Sequence, residues 1–263
     1  MLMKKSMNCT IAYYSDVEAE AVDWLWFPYI PYGKITIVQG DPGEGKTSFA
    51  LHLAVLLSRG LLLPDGRIAE PINIIYQNGE DSVADTIKPR LERMNADCSR
   101  IAFIPDGVTL DDACLEEAIQ QTATRLLILD PLQAFIPKNH NLGRVGDMRN
   151  VMGHLASVAE KTNCAVLIVG HMAKTTSAKG IYRGIGSIDI AAIARGILLI
   201  GRPTEDSDLR TACIRVLSNL DGYSHRIFRL IRILKNSMRC FYIHCGGSWL
   251  SRIMTKTRCC FSQ

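Results

Sequence analysis

Gly40-Asp41-Pro42-Gly43-Glu44-Gly45-Lys46-Thr47, followed by Ser48, is the stretch on which the reading of this 263-residue chain turns. It satisfies GxxxxGK[ST], the pattern of a loop that wraps a phosphate chain. Glycines let the backbone curl without a β-carbon in the way. Several N–H groups can then converge on an anion at a helix N-terminus, where the helix dipole also favours negative charge. In this pattern the lysine reaches the β- and γ-phosphates and the following hydroxyl serves Mg²⁺. Here these are Lys46 and Thr47, and residues 40–48 are the expected nucleotide cradle. The flanks decide against a chance glycine turn. Ile35-Thr36-Ile37-Val38-Gln39 reads as an apolar strand, and residues 47–58 carry helical apolar spacing at Phe49, Leu51, Leu53, Ala54, Leu56 and Leu57.

Outward from this loop the pattern is strict alternation. Strands are expected at residues 72–77, 101–104, 125–130, 165–170, 196–201 and 210–217. Helices are expected at 82–94, 111–122, 145–162 and 187–194, with Asp111 and Asp112 suited to a helix N-terminus. The continuous apolar runs RLLILD and AVLIVG suit strands buried on both faces. The fold class is α/β: a mainly parallel twisted sheet flanked by helices. Residues 1–23 form a lead-in, and the aromatic, proline-rich residues 24–34 read as an extended arm.

Two acidic positions stand out. Leu126-Leu127-Ile128-Leu129-Asp130 sets a carboxylate at the C-terminal edge of a buried strand, where ligands collect in open α/β sheets. Asp130 is the expected partner of Thr47 in holding Mg²⁺; the competing reading is a helix N-cap, because Pro131 follows. A hydrolase also needs a base for the attacking water. Pro131 is no acid, so Glu80, just beyond the second strand, is favoured, with Asp81 as cap of the next helix.

Composition sets the limits. Apolar residues at 48% and charged residues at 21% suit a packed globular core. No apolar run approaches a membrane span, and Lys4 and Lys5 have no apolar signal core behind them. The nine cysteines show no secreted disulfide framework, so a soluble protein in the reduced cytoplasm is expected. Residues 221–263 carry eight Lys/Arg and one acid, which leaves residues 1–220 at −3 of the overall +4.

WLWFPYIPYGKITIVQGDPGEGKTS, IYQNGED, RLLILDP, GHMAK and YRGIGSIDIAAIARGILLIGR, in that order, resemble the RepA-like ATPases, a branch of the RecA/DnaB superfamily carried by plasmids, phages and integrated elements. The similarity runs over residues 24–220 and implies a RecA-like core, ATP and Mg²⁺ as ligands, and a homo-oligomeric ring, typically a hexamer, with ATP between subunits. It implies Glu80 as catalytic base, His171 as γ-phosphate sensor and Arg195 as an arginine finger, with Arg183 and Arg202 as rivals. It implies single-stranded DNA contacts through loops 137–147 (Lys138, Arg144) and 174–186 (Lys174, Lys179, Arg183), where cations neutralise phosphates without reading sequence.

The resemblance fades after residue 220. The basic tail has three readings: a DNA grip, a zinc site from Cys240, His244, Cys245, Cys259 and Cys260, or a truncated or out-of-frame end. The last is the expectation. The functional expectation is a helicase- or replication-type motor of a mobile element. The alternatives are an ATP-dependent regulatory or recombination switch, and a nucleotide-binding protein impaired by its C-terminus.

Overall fold

The computed structural model describes residues 11–105, 107–137, 147–171, 188–201, 211–215, 228–231 and 242–245. The strands are β1 (Trp24–Trp26), β2 (Ile30–Pro31), β3 (Ile35–Gly40), β4 (Asn73–Asn78), β5 (Ile101–Ala102), β6 (Thr124–Asp130), β7 (Ala165–His171), β8 (Gly196–Gly201), β9 (Thr211–Arg215), β10 (Phe228–Ile231) and β11 (Tyr242–Cys245). The helices are α1 (Lys46–Arg59), α2 (Lys88–Arg93), α3 (Cys114–Gln121), α4 (Asp147–Thr162) and α5 (Ile188–Ile193). The main sheet runs β11-β10-β9-β8-β3-β7-β6-β4-β5. Its six strands from β8 to β5 are parallel, as expected, and β9, β10 and β11 extend it antiparallel.

Burial explains why the parallel strands read as unbroken apolar runs. Leu126 and Ile128 face one apolar layer, with α1, Ile87, Leu91 and the β1–β2 hairpin; Leu127 and Leu129 face the other, with α3, α4 and α5. Each such side chain taken out of water contributes roughly 1.5–3 kcal/mol. No helix among the described residues is long and apolar enough to cross a membrane.

Several boundaries differ from expectation for identifiable reasons. Residues 24–34 are a hairpin rather than an extended arm: β1 pairs antiparallel with β2, and Trp26 is fully buried, edge-on to Tyr29 and stacked over Phe49 of α1. The strand expected over 101–104 ends at Ala102 because the Gln77 side chain takes over the pairing, donating to the Ile104 carbonyl (3.0 Å) and accepting from its N–H (2.9 Å). Helix α3 starts later than expected. Asp112 first folds back onto Thr109 and then accepts from the Cys114 N–H (3.0 Å). The 82–94 helix opens with a wide π-type turn, Val83–Ile87, before α2. In the basic tail only β10 and β11 fall among the described residues; they include Arg229, His244 and Cys245, and the other residues named for the DNA-grip, zinc and truncation readings lie outside them.

Candidate functional site

The strand order decides where a site can form. β3 leads through α1 to β4, crossing over β7 and β6 to get there. β7 instead leads through α5 back past β3 to β8, so the order of connection reverses between β3 and β7, and crevices at the C-terminal ends of strands form at such reversals. Residues 41–45 leave β3 at that end and lead into α1. Gly43 (φ 79°) and Gly45 (φ 91°) both lie in the left-handed region that L side chains avoid, and Gly45 is the N-cap of α1. Gly40 is needed for a different reason than the curl of the loop. A Cβ there would collide with the Ile200 carbonyl of neighbouring β8, so this glycine lets two strands approach.

Lys46 opens α1 and is buried, with 4% of its surface exposed. Its Nζ donates to the carbonyls of Gly40 (2.8 Å) and Asp41 (2.9 Å). Burial pulls its pKa below the usual lysine value, and the negative charges of Asp130, Asp41, Glu44 and Glu80 resist that fall. Those four carboxylates are thus within electrostatic reach of one ammonium. Thr47 and Ser48 follow on the same first turn of α1. His52, one turn further, meets the Ser48 carbonyl through Nδ1 (3.2 Å); a carbonyl only accepts, so Nδ1 carries the proton there. Burial holds this imidazole's pKa below its usual value.

Asp130 is the last residue of β6, two strands from Gly40 with β7 between, about 10 Å across the sheet. It is not a helix cap. Pro131 is extended (φ −87°, ψ 162°), and the short 3-10 turn Leu132–Phe135 begins after it. Its carboxylate is 2% exposed and accepts a hydrogen bond from the Tyr76 hydroxyl at 2.7 Å. Nothing in the one-dimensional pattern pointed to Tyr76. Its place on β4 became meaningful only once the β4–β6 register was known, with Tyr76 opposite Ile128 and Asn78 opposite Asp130.

Glu80 lies exposed just past β4. The Gly79 N–H donates to the Asp130 carbonyl (3.0 Å), and Asn78 Oδ1 accepts from the N–H groups of Glu80 (2.9 Å) and Asp81 (2.6 Å). The backbone of Glu80 is thereby tied to the ends of β4 and β6. Asp81 does not cap the next helix: Ser82 holds the N-cap position without a side-chain bond, and Asp81 pairs with Arg90 at 3.6 Å. His171 ends β7 in register with Gly40, which brings its backbone to the same edge; its side chain lies outside the described residues.

Arg195 does not share that edge. Its N–H donates to the Ile35 carbonyl (2.8 Å) at the start of β3, and its charge acts on Glu160, whose carboxyl is held below the usual range first by the hydrogen bond and charge of Lys34. The length of β3, about 17 Å, separates it from the loop that ends that strand. Arg183, Arg202, Lys138, Arg144, Lys174 and Lys179 lie outside the described residues.

Fit to ATP and Mg²⁺ can be judged from these groups. Gly43 carries no side chain, and a Cβ built there meets nothing within 4 Å, so the crown of the loop is open. A buried ammonium, the opening turn of a 14-residue helix and a strand-end carboxylate suit a triphosphate and a hard, oxygen-seeking cation. Fold and site together define the class: an α/β chain with a RecA-like P-loop core. The chain belongs to the AAA domain family, which matches residues 8–177.

Among curated proteins it is similar to the DNA repair protein RadA of Chlamydia pneumoniae, 27% identical over 150 residues, which is 56% of this chain and 30% of that protein. It is also similar to the DNA repair protein RadA of Streptococcus pneumoniae, 27% identical over 150 residues, 56% of this chain and 32% of that protein. The chain thus spans about a third of the length of these relatives. Two solved structures share its fold. The KaiC-like protein PH0186 of Pyrococcus horikoshii OT3 aligns with a TM-score of 0.56 at 16% identity, covering 87% of this chain and 99% of that one. The ATPase domain of G40P aligns with a TM-score of 0.56 at 14% identity, covering 76% and 81%.

Proposed function

We propose that this chain binds and hydrolyses ATP as a RepA-like member of the RecA/DnaB superfamily, working as a ring-forming helicase- or replication-type motor of a mobile element. The observation that carries the hydrolytic part is the buried Lys46 ammonium within the field of Asp130, Asp41, Glu44 and Glu80. A cation kept out of water at a helix start is suited to the charge that grows on a transferring phosphoryl group.

In this reading residues 40–48 cradle the triphosphate. Lys46 exchanges its bonds to the Gly40 and Asp41 carbonyls for phosphate oxygens. Thr47 and Asp130 hold Mg²⁺, which when bound neutralises phosphate charge. Glu80 orients the attacking water and takes its proton; its tether through Asn78 and Gly79 limits how far that carboxylate wanders. His171 senses the γ-phosphate. Arg195 serves as a finger only if a neighbouring subunit brings its far sheet edge to the site, and Arg183 and Arg202 stay its rivals. Loops 137–147 and 174–186 contact single-stranded DNA.

A second reading, an ATP-dependent recombination or regulatory switch without translocation, draws support from the similarity to proteins named for DNA repair. Turnover of purified protein with and without single-stranded DNA, beside Lys46→Ala, separates the two. Strong stimulation by DNA fits the motor and DNA-indifferent turnover fits the switch. Turnover that survives Lys46→Ala refutes both.

A further inference from the structure

We infer that Tyr76 is a positioning residue for the metal-binding carboxylate, its hydroxyl holding Asp130 in the one orientation that receives Mg²⁺. This rests on the reading of Asp130 as a Mg²⁺ ligand. Register sets the distance between the two residues. Asp130 faces Asn78 directly, so Tyr76 is its diagonal neighbour on the adjacent strand. Diagonal positions are about 7–8 Å apart, too far for a short side chain but within reach of an aromatic one. The Tyr76 hydroxyl spans that gap and donates to Asp130 Oδ2 at 2.7 Å.

Both partners are buried, at 3% and 2% exposure, so water does not substitute for this bond. A carboxylate in that position without a donor would be costly to keep ionised. The tyrosine supplies a donor and occupies one of the acceptor sites of the carboxylate, about four in all. A phenol is protonated at neutral pH and a carboxylate can only accept, so the hydroxyl is the donor in this bond.

The ring has a separate job. It belongs to the apolar layer under α1 that also holds Phe49, Leu51 and Ile128, where a phenylalanine ring has the same shape. Tyr76→Phe thus removes the donor and keeps the packing. The full chain is titrated with Mg²⁺ while binding of a fluorescent ATP analogue is followed, and melting is recorded in parallel. Loss of an outer-shell partner of a metal ligand typically costs about 10- to 100-fold in metal affinity or activity. The half-saturating Mg²⁺ concentration in Tyr76→Phe should rise about 10-fold, with Mg²⁺-free binding of the analogue unchanged.

An unchanged Mg²⁺ requirement overturns the proposal. So does an equal weakening with and without Mg²⁺, which would make Tyr76 a packing residue only. If wild-type binding takes no strength from Mg²⁺ at all, the reading of Asp130 itself fails, and the inference with it. A second comparison is independent of how Tyr76→Phe folds. Asp130→Asn keeps an acceptor for the hydroxyl and should melt above Asp130→Ala, which strands it. Equal melting of the two shows that the bond is not made and overturns the inference as well.

Discussion

Gly79 sits between the two acidic positions, and substituting it tests how tightly they are coupled. A Cβ at Gly79 would overlap the methyl of Ala134, in the turn that follows Asp130, and come within 3.4 Å of the Phe135 ring. Overpacking of this kind costs about 1–3 kcal/mol. Gly79 is solvent-exposed on its other side, so the loop can back away, which favours the lower end of that range. For a chain of this length that amounts to a Tm drop of about 2–6 °C. Backing away also pulls on the Gly79 bond to the Asp130 carbonyl and carries Glu80 with it. A misplacement near 1 Å at a reacting group can cost about 100-fold. ATPase activity should therefore fall about 10- to 100-fold, far more than the small loss of stability implies.

The decisive arm is Gly79→Ala combined with Ala134→Gly, which trades one methyl for the other in the same space. Ala134→Gly alone should cost about 1 kcal/mol through backbone entropy. The double variant should be more stable than the sum of the singles by about 1–2 kcal/mol and recover activity. Melting curves and steady-state turnover on all four proteins give the cycle. A strictly additive double variant, or a Gly79→Ala protein with wild-type Tm and turnover, would refute the steric argument.

Other outcomes follow from the same geometry. Lys46→Met should abolish nucleotide binding, by about 10- to 100-fold or more, without lowering Tm, because replacing a buried ion by an apolar side chain is often neutral or stabilising. The folded state depresses this lysine's pKa, so near neutral pH the unfolded chain holds the proton more firmly and the wild type carries the full penalty; that penalty shrinks as pH rises toward the ordinary lysine value. Any Tm advantage of Lys46→Met should accordingly narrow between about pH 7 and pH 10, and an advantage that widens contradicts the sign. Gly45→Ala should cost about 1–2 kcal/mol, seen as a lower Tm, because its φ of 91° is closed to a β-carbon. The Cys164 thiol, buried and pushed up to about 12, should react with a thiol reagent only on unfolding, while half-buried Cys98 reacts in the folded protein; peptide mapping after timed labelling reads this directly.

The parallel core was legible because its signals are local. The five buried residues Ile35–Gln39 before GxxxxGK[ST], and Asp130 at the end of LLIL, each follow from a strand buried on both faces and open at one edge. The place of Glu80 just past β4 was likewise legible from its distance beyond the second apolar run. Tyr76, Asn78 and Gly79 were not, because each acts across to a neighbouring strand or turn, and that register appears in no stretch of sequence. The Trp24–Pro31 hairpin was missed for a related reason: its aromatic and proline content reads as irregular, while its pairing depends on a turn and on the surface of α1. Asp81 looked like a cap because acids often are. Arg90, nine residues on, competed for it successfully.

Five consecutive residues, from Tyr76 to Glu80, belong to one short length of backbone, yet they answer to two separate acids. One strand end thus sets both the Asp130 carboxylate, through Tyr76, and the Glu80 backbone, through Asn78 and Gly79.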